Sequence, residues 1–458
     1  MVNERSYSTV LFILGLIISY YLGYLQGLGI LTEEQVKATI VFAAVLVMIA
    51  TEYRHRTVAV LSGVVALWLL GIVSAEEMVE AIDFEVIGVL FGAMIIVLSM
   101  EKAGFFDIIG DFIARLPIKS PFAMIVIFSV TTAILSAFLD NVTTSLFMVP
   151  IALAIAKTRG IRPLPLLYSL AISANIGGMA TLVGDPPNIM IASAVGFSFN
   201  DFLIHAAPMS IISLTISLVL IYFLFRGEIK EKMLVKRIKR AEEVAKEERP
   251  QRDTYLLVVS TMFFLVLLVL FVLQDFIKIK PGESAVITAS IVLLLGGSKV
   301  VKVLQSIEWD VLLFLGGLLA LVGGIEHTGL LSLLAQYIVE ITGPNAFNIV
   351  SLVLWLSASL SAIIDNIPVA AVLIPVIKEI YPIIGTDAVW WSLVAATALG
   401  GIVTPISSVP NIIVYTSLRR EGYQITFAQF VRYGMLFFTV NLITINVYLI
   451  VRYGLFGL

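Results

Sequence analysis

The stretch SAFLDNVTTS, residues 136–145, places Asp140 beside Asn141 inside a long apolar block. A second stretch, SAIIDNIPVA over 361–370, repeats the pattern with Asp365 and Asn366. A carboxylate in hydrocarbon costs about 3 kcal/mol or more, so a doubled Asp-Asn in such surroundings asks for a reason.

The surroundings are unambiguous. The chain has 458 residues, of which 59% are hydrophobic and 13% charged. Its mean hydropathy is +1.03. A water-soluble protein of this length needs far more polar surface, so the fold expected is an all-α polytopic membrane protein. A transmembrane barrel would show alternating strands of about ten residues; the apolar runs here are long and unbroken. There is no cysteine, hence no disulfide, thiolate metal site or thiol nucleophile. The three histidines, at 55, 205 and 327, give no metal-ligand spacing on one helix. No cofactor and no nucleic acid is expected as a partner. The expected partners are membrane lipid and a small ion or anion.

Apolar runs of spanning length begin with 7–31, read as a retained first transmembrane helix, and end with 431–451. About eleven such spans are expected, with 38–51 and 284–298 short for a crossing of about 20 residues. Two further blocks, 121–156 and 344–380, carry Asp-Asn at their centres and read as re-entrant hairpins, one from each side. The long polar stretch 226–253 holds ten of the 29 Lys and Arg. Short loops carrying Arg54 and Arg56, Lys157 and Arg159, and Arg419 and Arg420 are also basic. Placed inside the cell, these loops satisfy the positive-inside rule. The N-terminus and the linker are then cytoplasmic, and the C-terminus lies outside. The expected divisions are an N-terminal helix and loop (1–37), a first repeat (38–225), the charged linker (226–253) and a second repeat (254–458). The linker needs no binding role; a solvated helix accounts for it.

The division into repeats rests on a polar skeleton. At a shift of 225, IDFEVI (82–87) meets IEWDVL (307–312), and Glu101 and Gly104 meet Glu326 and Gly329. Ser136, Asp140, Asn141 and Pro150 likewise meet Ser361, Asp365, Asn366 and Pro375. At a shift of 223, Gly177-Gly178, Thr181 and Asn188 meet Gly400-Gly401, Thr404 and Asn411. An odd number of crossings per repeat turns the second copy upside down. That is the inverted-repeat plan of secondary transporters, with sites at discontinuous helices near the midplane.

Four stretches interrupt the hydrocarbon: 140–145, 175–188, 365–368 and 400–411. Gly and Pro break the helices there, and the freed backbone is tolerated only against protein or a wet cavity. The candidate ion- or substrate-binding residues are Asp140, Asn141, Thr143, Thr144, Gly177, Gly178, Thr181, Asp185 and Asn188 in the first half. In the second half they are Asp365, Asn366, Gly400, Gly401, Thr404 and Asn411. Carboxylates, amides and hydroxyls are hard oxygen ligands suited to Na+, expected at Asp140, Asn141, Asp365 and Asn366. No Lys or Arg falls in these stretches. A buried carboxylate without a cationic partner must take a proton or hold a cation, as a coupling site requires. A plainer role is capping of a half-helix by each Asp. Asp185, beside Pro186 and Pro187, has no acidic counterpart in the second half, where Ser408 stands in its place. Glu101 and Glu326 read as interfacial, and His205 and His327 as surface residues at helix ends.

With these residues in view, SAFLDNVTTS, NIGGMATLVGDPPNIMIAS and SAIIDNIPVAAVLIP resemble the ion transporter superfamily. The resemblance is to the branch of ArsB-type arsenite permeases and the melanosomal P protein. NhaD-type sodium/proton antiporters and CitM-type citrate transporters are relatives. The resemblance spans roughly 40 to 455. It implies two inverted repeats, each with a re-entrant hairpin and a discontinuous helix, a homodimer, and an elevator-like alternating-access motion. It also implies a cell-membrane transporter coupled to H+ or Na+. The expected substrates are Na+ exchanged for protons or an arsenite-type small solute, with citrate or a dicarboxylate behind them. The dicarboxylate branch carries Ser-Asn-Thr at its hairpin tips, where this chain has an acid before the Asn. An ion channel, the rival from another class, would want polar rings along a continuous path. An intramembrane aspartyl enzyme would use paired Asp. The motifs cluster at two points rather than along a path, which argues against a channel, and their symmetric placement on opposed hairpins favours transport over an enzyme.

Overall fold

The computed structural model describes residues 23, 26, 27, 29–51, 53–118, 120–230 and 253–455. Most of the expected first helix over 7–31 and most of the charged linker lie outside the described residues. All regular structure among the described residues is helical.

The first half runs α1 (Glu33–Ala50), α2 (Arg56–Leu69), α3 (Ala75–Glu80), α4 (Phe84–Ala103), α5 (Phe105–Arg115), α6 (Pro121–Phe138), α7 (Asn141–Arg159), α8 (Pro163–Gly178), α9 (Pro186–Val195) and α10 (Phe199–Lys230). The second runs α11 (Thr254–Ile277), α12 (Pro281–Leu295), α13 (Val300–Ser306), α14 (Trp309–His327), α15 (Leu330–Thr342), α16 (Ala346–Ser361), α17 (Asn366–Ile384), α18 (Ala388–Gly400), α19 (Val409–Arg420) and α20 (Phe427–Tyr453). Eight of the described helices are long and apolar enough to cross a membrane. Three of these, α6, α7 and α17, are hairpin arms that turn back at Asp140 or Asp365.

Both Asp-Asn blocks fold as helical hairpins that turn at the Asp-Asn pair. Leu139 and Asp140 alone separate α6 from α7, and residues 362–365 separate α16 from α17. So short a link forces antiparallel arms. The two discontinuous helices are α8 with α9, broken over 179–185, and α18 with α19, broken over 401–408. Starts keep the sequence offset of 225 through α2 and α12, α4 and α14, α6 and α16, α7 and α17, and α8 and α18. Turns keep it too. Gly104 and Gly329 both adopt positive φ between consecutive helices, where a side chain would be strained.

Packing crosses between halves. Helix α2 lies against α14, and α12 lies against α4. The second contact is tight: a Cβ on Gly92 would come within 2.4 Å of the Ala285 carbonyl carbon. The short helices α5 and α15 are additions to the sequence reading. Each keeps a polar stripe, so neither registers as an apolar run.

Candidate functional site

The two hairpin tips and both broken helices meet at a single cavity. Asp140, Asn141, Asp185, Asp365 and Asn366 all line it. Its volume is about 40 Å³. Each water needs roughly 10–15 Å³ of such space, so the cavity suits a few waters or one small ion.

Each acid is held differently. Asp140 is the N-cap of α7, and its Oδ1 accepts the Thr143 backbone N–H at 2.8 Å. The capping role is therefore real there. Asp365 occupies the same position on α17 but makes no side-chain cap bond. Its Oδ2 instead accepts from the Arg56 guanidinium at 3.2 Å. Asp185 is 2% exposed and accepts the Asn366 amide at 2.7 Å, tying the first broken helix to the second hairpin tip. The cavity is completed by Glu308, Arg56 and Ser408. Arg56 also lies 3.7 Å from Asp310 and over the Phe314 ring, 5.1 Å from its centroid.

Arg56 corrects the sequence reading. None of the four polar stretches contains a cation, but the first residue of α2 brings one to Asp365 across the fold. The basic pair Arg54 and Arg56, taken only as a topological marker, thus contributes one member to the site. Glu308 is a second addition to the sequence reading, although the match of IEWDVL to IDFEVI pairs it with Asp83. That pairing was the available signal, because a repeated acid at a helix start in an apolar chain has the same cost as Asp140.

The remaining candidates brace the hairpins and broken helices and do not line the cavity. Asn188 is 1% exposed, and its Nδ2 donates to the carbonyls of Gly178 at 2.9 Å and Thr181 at 2.7 Å. Asn411 does the same for Gly401 and Thr404, both at 2.8 Å. These amides cap the carbonyls freed where α8 and α18 end. Thr181 donates its hydroxyl to the Ala137 carbonyl, locking the break to the hairpin. Thr404 Oγ1 accepts the Ser407 N–H at 2.9 Å. Gly177 and Gly400 admit the hairpin arms. A Cβ at Gly177 would meet the Ala133 carbonyl oxygen at 2.3 Å, and one at Gly400 the Ala358 carbonyl oxygen at 2.6 Å. Gly178 and Gly401 are similarly crowded by Gly184 and Asn175. Ser136 and Ser361 bond the Ala174 and Thr397 carbonyls at 2.6 and 2.9 Å, joining each hairpin to its broken helix. Thr144 is fully buried, with its hydroxyl unpartnered. Among the described residues no three His, Asp or Glu side chains are placed to hold a metal ion.

Outside the site, Glu326 and His327 are surface residues, His327 lying 3.6 Å from Glu77. His205 departs from the surface reading. It stacks on Trp391 at 4.9 Å and bonds the Tyr453 hydroxyl at 2.6 Å, because α10, α18 and α20 converge there.

The family follows from residues 44–396, which match the model of the CitMHS citrate transporters. The chain belongs to that family. An uncharacterized transporter of Mycobacterium tuberculosis is 34% identical over 427 residues, covering 91% of this chain and 98% of that protein. The human P protein is 28% identical over 522 residues, covering 95% of this chain and 62% of that protein. Among solved structures, the YdaH transporter of Alcanivorax borkumensis aligns with a TM-score of 0.54 at 15% identity, covering 81% of this chain and 86% of YdaH. MtrF of Neisseria gonorrhoeae, from a class of antimetabolite efflux pumps, aligns with a TM-score of 0.55 at 12% identity, covering 80% and 81%. These two likenesses are of fold. The chain is thus a multi-pass membrane protein of a transporter family.

Proposed function

We propose that this transporter is secondary active and cation-coupled, with H+ or Na+ bound by the carboxylates at the hairpin tips. The observation that carries this is the charge balance of the cavity. Asp140, Asp185, Glu308 and Asp365 face one guanidinium in about 40 Å³. A bare anion would be repelled. A proton or a small cation lowers the cost of burying the acids.

The helices at constant offset support an inverted-repeat, elevator-like motion. The hairpins and broken helices α6–α9 and α16–α19 would carry the site as one body. Helices α2, α4, α12 and α14 would frame it. The crossed pairing of α2 with α14 and α12 with α4 fits a frame built from both halves. The basic loops favour a cytoplasmic linker and an outer C-terminus, in a working unit of two copies.

Exchange of Na+ for H+ is the simplest cargo that the site accommodates, with an uncharged arsenite-type solute beside it. Citrate or a dicarboxylate is the second reading, favoured by Arg56 as the one cation at the site. Such an anion would enter only with neutralising cations or protons. The test uses proteoliposomes carrying an internal pH dye, with Na+ pulsed outside and then citrate or arsenite. Na+-driven alkalinisation that Asp140→Asn or Asp365→Asn abolishes supports exchange. A signal seen only with citrate or arsenite overturns the exchange reading, and unchanged activity in both variants overturns the site.

A further inference from the structure

A cation at the first residue of a helix faces the positive end of the helix dipole, an unfavourable place. Arg56 sits there on α2, and the first turn carries no acid of its own to offset it. Its compensation comes from elsewhere: Asp310 on α14 at 3.7 Å and Asp365 at the second hairpin tip at 3.2 Å. The side chain is three-quarters buried, so the pairing is shielded from bulk water.

The corresponding place in the other half is different. Helix α12 begins at Pro281, 225 residues on, with proline at the first helical position where its missing N–H costs nothing. Asp310 corresponds to Glu85, and Glu85 accepts the backbone N–H of Gly282. The second frame closes the same carboxylate position with a backbone N–H, and the cation nearby, the N-cap residue Lys280, is exposed at the mouth of the same pocket as Glu85. Among the described residues a largely buried guanidinium stands at one of the two helix starts only.

We propose that Arg56 is a tethered competitor of the coupling cation and a one-sided electrostatic latch. In this conformation the guanidinium occupies part of the charge that the cation would use. It also ties the frame, through α2, to the hairpin tip that would move. A cation or proton arriving at Asp365 weakens its hold on Arg56, which keeps Asp310, and the hairpin is released. In the opposite arrangement the Asp140 tip would approach the start of α12 and find only the exposed, water-screened ammonium of Lys280, so that state is latched more weakly. Loading of the site and freedom to move are thereby coupled through one side chain. The inference rests on the cation-coupled reading above.

Two readouts test it. The first is Na+-dependent thermal stabilisation of the purified full chain, comparing wild type with Arg56→Gln and Arg56→Lys. Loss of the competitor should lower the half-saturating Na+ by about tenfold, within the usual span of coupling between ligands sharing a site. Arg56→Lys should stay near wild type. The second is sidedness. The chain has no cysteine, so Val142→Cys in the cavity wall reports access to a membrane-impermeant maleimide from either side of a vesicle. Arg56→Gln should move labelling toward the side away from the linker. Pro281→Arg, which installs a cation in the other frame, should do the same even if Arg56→Gln does not fold. Unchanged half-saturation and unchanged sidedness overturn the proposal, as does complete loss of Na+ response with labelling unmoved. If wild type is stabilised by neither Na+ nor acid, the cation reading falls, and the labelling arms still judge the latch.

Discussion

Replacing Asn188 tests whether the break between α8 and α9 is held by its amide cap. The Asn188 amide donates to two carbonyls, at 2.9 and 2.7 Å, in a site that is 1% exposed. Asn188→Ala leaves both oxygens buried without those donors. The Thr181 carbonyl keeps the Gly184 N–H at 3.4 Å, so the Gly178 carbonyl carries most of the loss, and the variant should lose about 1–3 kcal/mol. Asn411→Ala removes the equivalent bonds to Gly401 and Thr404, both at 2.8 Å, and should cost less, because the Ser407 hydroxyl also reaches these two carbonyls, at 3.0 and 2.9 Å. Asn188→Asp keeps the shape but presents acceptors to acceptors. It should be at least as destabilised at neutral pH and recover in part on acidification, when the protonated acid donates one bond. Reversible unfolding in mixed micelles titrated with sodium dodecyl sulfate gives the energies. If both alanine variants fall within about 0.5 kcal/mol of wild type, the size of a neutral surface change, the capping account is refuted.

Gly177→Ala and Gly400→Ala should each cost about 1–3 kcal/mol or more by overpacking, since the new methyl meets hairpin backbone at 2.3 and 2.6 Å. Thermal unfolding of each variant checks this, and full stability would mean that the hairpin arms yield freely. Ser136→Ala and Ser361→Ala should each lose about 1 kcal/mol and add in the double variant, because the sites share no partner. Arg159 donates to the carbonyls of Ile118 at 2.8 Å, Ala114 at 2.6 Å and Leu116 at 2.8 Å. Arg159→Ala should raise proteolytic cleavage within 114–118 while leaving cation binding intact.

The parts of the fold legible in the sequence were those where hydrocarbon makes polarity expensive. Asp140, Asp365, Asn188 and Asn411 stand out because each is a polar group inside an apolar block, and the constant offset doubles the signal. The hairpins followed, since a helix cannot run through Asp-Asn at membrane depth without a partner. What the residues at the breaks do was less legible. The two Asn of the broken helices read as ligands, yet they satisfy backbone carbonyls, and only their place relative to the helix ends reveals that. Arg56 was missed because its meaning is tertiary. It lies 309 positions from Asp365, in a short basic loop that topology already explained. The residue at the same offset, Pro281, was the available clue, since a helix start that takes proline in one copy and arginine in the other has exchanged a stabilising residue for a charged one. The helices α5 and α15 escaped because a polar stripe hides a surface helix from a search for apolar runs.

The central claim is that the carboxylates at the hairpin tips bind the coupling cation, and charge displacement on a solid-supported membrane tests it most directly. A step of Na+ or of acid over adsorbed proteoliposomes should give a transient current in wild type. That current should shrink in Asp140→Asn or Asp365→Asn and vanish when Asp140, Asp185 and Asp365 are all changed to Asn. A current of wild-type size in the triple variant, folded by size-exclusion profile, would contradict the account.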